Sequence, residues 1–355
     1  DSATPAELVA ITSRLNNALR RLGSGWAIFI EAQREPANTY PKSSFPDFIS
    51  RIVDAERRAQ FEQEGTHFES RYFLTLLWLP PADDASRAEN WLYEGRSQHG
   101  TDWNAHLKSF NDRTGRVLSL IEGFMPEAAW LDDGDTITYL HSCVSTKRQK
   151  VRVPEVPVYL DAILPDEDLA GGLEPRLGAA HLRTLTVMGF PTQTWPGLLD
   201  DLNRLAFPYR WSTRAICLDK TDATKVLTRI RRQWFAKRKS VMSIVKEVMT
   251  NEASTLTDSD AGNKAVDADA ALQELGADFV GQVYVTATVT VWDEDPRVAD
   301  ERLRQVEKTI QGRDFTCIRE TVNAVEAWLG SLPGHVYANV RQPPVSTLNL
   351  AHMMP

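Results

Sequence analysis

Cysteine is scarce in this chain: 355 residues contain three, Cys143, Cys217 and Cys317, and no two share a C-x-x-C spacing. A set so sparse and odd in number excludes a disulfide scaffold and a thiolate zinc site, and predicts reduced thiols. Long apolar runs are missing too. The nearest, YFLTLLWL at 72–79, falls well short of the ~18 residues needed to cross a bilayer, and no signal-peptide pattern opens the chain. Positive charge is in deficit, with 40 Lys and Arg against 48 Asp and Glu and a formal net charge of −8. That balance excludes a general nucleic-acid coat, which needs a basic surface overall.

Chemical motifs are equally thin. The dipeptide Gly-Lys occurs nowhere, so no P-loop can surround a phosphate with backbone amides and a lysine. Gly23-Ser24-Gly25 has no third glycine and runs into a strand instead of a helix, which predicts a helix-stop turn and not a dinucleotide cradle. There is no G-x-S-x-G. The seven histidines are scattered, and the one cluster, His99, Asp102 and His106, matches no zinc spacing and reads as a loop. Asp293, Glu294 and Asp295 end an apolar strand, as a magnesium-binding acid and a base would in an ATPase. That strand alternates with threonine, however, which argues against a central position, and Pro296 follows; the acids are expected to cap a helix.

What is present is an ordinary globular balance, 42% hydrophobic and 25% charged, over a length that suits two domains. Thr4, Pro5 and Glu7 form a capping-box signature. Leu8, Ile11, Leu15, Ala18, Leu19 and Leu22 follow at helical spacing. A chain opening so close to a capped helix predicts an upstream segment. Strands are expected at 26–32 and 70–81 around a helix at 45–65, and a further upstream strand would complete a split β-α-β unit. A helix at 104–125 comes next. Beyond 145–178, rich in Pro and Gly, strands at 181–190, 209–218, 281–292 and 315–320 alternate with helices at 194–206, 220–250, 296–311 and 321–330. Between them, 258–277 opens as a loop and turns helical. The expected fold is α/β (α+β): two α/β sandwich subdomains resembling split β-α-β, ferredoxin-like units, at 1–144 and 179–332. A linker at 145–178 and a connector at 333–355 complete it.

One local exception to the acidic balance is RIRRQWFAKRKS at 229–240. On a helix, Val226, Leu227, Ile230, Trp234, Val241, Ile244, Val245 and Val248 form an apolar seam. Arg229, Arg231, Arg232, Lys237, Arg238 and Lys239 flank it with their heads in water. Trp234 is therefore expected in the core and not as a base-stacking platform. The cations suit a solvated or protein-facing helix surface, a nucleic-acid contact, or attraction to anionic lipid headgroups.

Several stretches together resemble one family. NNALRRLGSGWAIFIEAQREPANTYP (16–41), SRYFLTLLWLPP (70–81), GGLEPRLGAAHLRTLTVMGFP (171–191), RRQWFAKRKS (231–240) and AVEAWLGSLPGHVYANVRQPPVSTLNLAHMMP (324–355) are similar, in consistent order, to the TrbE conjugal-transfer proteins, ATPases of type IV secretion. The resemblance implies an amino-terminal α/β region that precedes a RecA-like motor with Walker A and B motifs, SLPGHVYANVRQPPVSTLNL lying just before that motor. It implies ATP and Mg²⁺ in the motor and none in this chain, and no catalytic residue of the family carries over. It also implies self-association within a hexameric motor, docking to other secretion components, and a cytoplasmic location peripheral to the inner membrane with its anionic surface. The chain is thus expected to be a non-catalytic docking and assembly region, with a nucleic-acid-binding module built on 229–240 as the alternative.

Overall fold

A computed structural model describes residues 3–37, 40–62, 67–80, 103–125, 127–191, 193–238 and 259–355. Helix α1 (Pro5–Leu19) starts as its sequence dictates. The Thr4 hydroxyl accepts from Glu7 N at 3.3 Å while the Glu7 carboxylate accepts from Thr4 N at 2.6 Å. Strand β1 (Trp26–Pro36), helix α2 (Phe48–Phe61) and strand β2 (Phe68–Trp78) follow, then α3 (Trp103–Glu122) and α4 (Asp133–Val144). Two short strands, β3 (Leu169–Ala170) and β4 (Arg176–Leu177), lead to β5 (Ala180–Gly189) and β6 (Tyr209–Leu218). Helices α5 (Lys220–Arg238) and α6 (Ser259–Gly276) precede β7 (Gln282–Asp293), α7 (Pro296–Gln311) and β8 (Thr316–Arg319). Helix α8 (Ala324–Leu329), β9 (Pro344–Ser346) and α9 (Thr347–Met353) close the chain.

The class is mixed α/β, and among the described residues every strand pairing is antiparallel. One sheet runs in the order β2-β1-β6-β7-β5-β4-β3, with β8 added to β5 and β9 to β7. Strands from either side of 145–178 belong to it, because β1 pairs with β6 from Ala27 opposite Ile216 to Arg34 opposite Tyr209. β1 and β2 pair directly along 11 positions, so no strand lies between them. β7 and β8, joined by α7, both pair with β5 and therefore run parallel to each other on its two sides.

The principal core lies on one face of this sheet. Trp26 stacks between Trp78 and Phe110, each 5.8 Å away. Tyr209, Trp211, Ala215 and Cys217 of β6, with Val283, Val285, Val289 and Val291 of β7, complete the inward rows beneath α1, α3 and α7. The position of β7 departs from the sequence reading: it is the middle strand and is buried on both faces. Thr286, Thr288 and Thr290 are inside because their hydroxyls find partners, Arg341 O at 2.8 Å, Ser212 O at 3.4 Å and Thr184 Oγ1 at 3.2 Å.

Other departures are local. The expected helix at 194–206 is a short 3₁₀ turn at Asp200–Arg204, because Pro196 and Gly197, the latter at φ +72°, break its start. Residues 259–276 are helical from the first described position, where the opening of this stretch was expected to be a loop. Helix α4 was not foreseen; Asp132 caps it by accepting from Asp135 N at 2.7 Å. The segment 333–355 is docked and not loose. β9 pairs with β7, and Thr347 donates to Asn16 Oδ1 at 2.5 Å, which seats α9 on α1.

Candidate functional site

Helix α5 carries the basic run. Its buried side is formed by Ala223 and Leu227, which pack on Leu275, Ala271 and Leu272 of α6, while Val226 and Ile230 are half-buried. The seam expected from helical spacing is present up to Ile230; the side chain of Trp234 and residues 241–248 lie outside the described residues. Lys225, Arg229 and Arg232, at i, i+4 and i+7, share an exposed face. With Thr224, Thr228 and Gln233 they line an open surface depression. Arg231 turns aside, its guanidinium 2.7 Å from the Asp269 carboxylate on α6. Among the described residues neither Arg229 nor Arg232 pairs with a carboxylate. The α5 backbone continues through Lys237 and Arg238, and Lys239 falls outside the described residues.

The predicted acids at the end of β7 act structurally. Asp295 caps α7 by accepting from Arg297 N at 2.8 Å, and Asp293 binds Arg302 at 2.8 Å. The glycine turn is pinned instead of open: Gly25 has φ +91°, its carbonyl accepts from Leu79 N at 2.8 Å, and a Cβ there would sit 2.8 Å from the Leu79 oxygen. His106 sits edge-on to Trp78 and Trp103, whereas His99 and Asp102 lie outside the described residues.

Sequence reasoning missed a second constellation on the other face of the sheet. Glu31, Gln33, Arg210, Ser212 and Arg214 project there, beneath α4 and the segment 331–341. Arg210 grips Glu31 with two bonds of 2.7 Å and donates to the carbonyls of Cys143 and Ser331. Burial disfavours the Arg210 charge, but the Glu31 carboxylate outweighs it and raises the guanidinium above its ordinary value. Burial, with Glu31 beside it, pushes the Cys143 thiol up to about 12, so it is not a nucleophile at neutral pH. Among the described residues Arg214 pairs with no carboxylate: it donates to the carbonyls of Ala338 at 2.5 Å, Asn339 at 3.0 Å and His335 at 3.1 Å, and burial lowers it to about 10. A second pair, Arg341 on Glu320 at 2.7 Å, fixes the same segment. The available signal was the alternation R-W-S-T-R in a strand, polar at every second position; periodicity could not tell a buried polar face from a wet one. This constellation positions the 331–341 segment.

Comparison with known proteins agrees with the resemblance. Residues 1–86 match the N-terminal domain of the type IV secretion system ATPase VirB4/TrbE. Residues 134–341 match the CagE, TrbE, VirB family, a component of the type IV transporter system. A conjugal transfer protein TrbE of Rhizobium radiobacter is 33% identical across 100% of this chain and 45% of its own length. In Sinorhizobium fredii the probable conjugal transfer protein TrbE is named as two separate pieces. The second piece is 31% identical over 62% of the chain, covering 33% of that relative; the first is 41% identical over 28% of the chain and covers 68% of its own length. The chain thus spans less than half of the Rhizobium radiobacter relative. With more than half of its residues inside one family match, this chain belongs to the CagE, TrbE, VirB family of type IV transporter components.

Proposed function

We propose that this chain is the non-catalytic docking and assembly region of a TrbE-like type IV secretion ATPase that energises pilus assembly and DNA transfer. In this reading ATP and Mg²⁺ belong to the portion of such a protein outside residues 1–355. The two family matches and the partial coverage of the longer relative support it. The observation that carries the docking role is the pair Arg229 and Arg232, exposed and without a carboxylate among the described residues, on a helix whose Ala223 and Leu227 pack against α6. Cations left free by the core serve contacts with other components, within a hexameric motor peripheral to the inner membrane on its cytoplasmic side. The β7-α7-β8 crossover about β5 serves as the split β-α-β unit of the second expected subdomain. Isothermal calorimetry of the chain with ATP and Mg²⁺ should give no binding heat, and micromolar affinity would sink the proposal.

The same free cations favour a second reading, a nucleic-acid contact on α5. It requires binding that weakens steeply from low to moderate salt, because each neutralised phosphate releases counterions. Arg229→Gln with Arg232→Gln should then abolish DNA retention, and unchanged retention would eliminate this reading.

A further inference from the structure

Helix α2 buries none of its side chains, yet it is strongly two-sided. Phe48, Ile49, Ile52 and Val53 form one stripe along its first two turns, with exposures from 44% at Val53 to 70% at Ile49, and Phe45 extends it before the cap. A stripe of this kind on a protein surface marks a contact. The charges around it are not symmetrical in use. Asp47 is consumed as the N-cap, accepting from Ile49 N and Ser50 N. Asp54 accepts from the Tyr40 hydroxyl at 2.8 Å and faces Arg58 at 3.5 Å, and Glu56, which bounds the stripe at its far end, accepts from Gln60 at 3.3 Å. Arg51 and Arg57, which border the stripe on its two sides at 100° per residue, pair with no carboxylate among the described residues; the Arg51 guanidinium lies over the Phe48 ring, 5.9 Å from its centre.

We propose that the first two turns of α2 lie in the interface of an anionic lipid bilayer, with Phe48, Ile49, Ile52 and Val53 among the acyl chains. Arg51 and Arg57 reach back to the phosphates. An apolar stripe parallel to the helix axis, edged by cations on flexible stems, is the arrangement an interfacial helix uses. Four side chains are also too little for a protein pair through this face alone, since a stable interface takes about 20–30 residues a side. The inference rests on the peripheral-membrane reading above and assigns the membrane contact to α2, leaving the α5 cations to other components.

The test is flotation of the whole chain with phosphatidylglycerol-containing vesicles and with pure phosphatidylcholine vesicles. Wild type should float with the anionic vesicles. Ile49→Asp with Ile52→Asp should lower the bound fraction about tenfold at unchanged circular dichroism. Arg51→Gln with Arg57→Gln should remove the preference for the anionic vesicles. If the aspartate variant floats like wild type, α2 is not the contact, although the peripheral reading stands. If wild type does not float, both ideas fail. If wild type fails to float but forms a dimer in light scattering that the aspartate variant loses, the face is a contact between copies and the lipid proposal is overturned.

Discussion

Glu31 and Arg210 are buried on neighbouring strands, and each satisfies a charge that the interior would otherwise reject. Removing one strands the other. Arg210→Met should therefore cost about 3–5 kcal/mol in urea unfolding, while Glu31→Leu with Arg210→Met should recover most of that loss, because two matched apolar groups leave no unpaired charge. A second residue sets a pH limit. Burial holds the His352 imidazole below its ordinary value of 6.5, with the Thr194 hydroxyl against its Nδ1 at 2.9 Å. The unfolded chain then takes up that proton at a higher pH than the native one. Its contribution is complete above pH 6.5 and is lost as the pH falls through the lowered native value. Thermal melts of wild type should drop more between pH 7 and mildly acid pH than those of His352→Gln.

Among the elements, those whose caps and periodicity agree were legible. α1 begins at its capping box, and α7 begins where Asp295 and Pro296 direct it, burying Ala299, Leu303, Val306 and Ile310. Asp295→Ala should cost about 1 kcal/mol, read as a lower urea midpoint at unchanged slope. The less legible elements failed for physical reasons. β7 alternates like a half-wet strand, yet its threonine face is dry, because hydroxyls can be satisfied inside where charges cannot without a partner. The basic helix was legible as a helix with a satisfied apolar side, but which of its cations stay free was not. Arg231 differs from Arg232 only in facing Asp269, a residue 38 positions away in the chain.

For the whole molecule, the joint between β1 and β6 binds the chain's early and late parts. Trp26, Ile28 and Ile30 share one core with Tyr209 and Trp211, and α9 rests on α1. Residues 1–144 and 145–355 produced separately should lack near-ultraviolet dichroism, and mixing them should restore it; a cooperative melt of 1–144 alone would contradict this. The sequence by itself determined the helix and strand periods, the caps, the family, and the absence of Gly-Lys, since these depend on residues near one another or on motifs read in order. Only the tertiary structure decided that 331–341 is held by Arg214 and Glu320, that β7 is central, and that α2 keeps its apolar stripe outside. Burial is a property of what folds against a residue, and for these elements the partners come from distant parts of the chain.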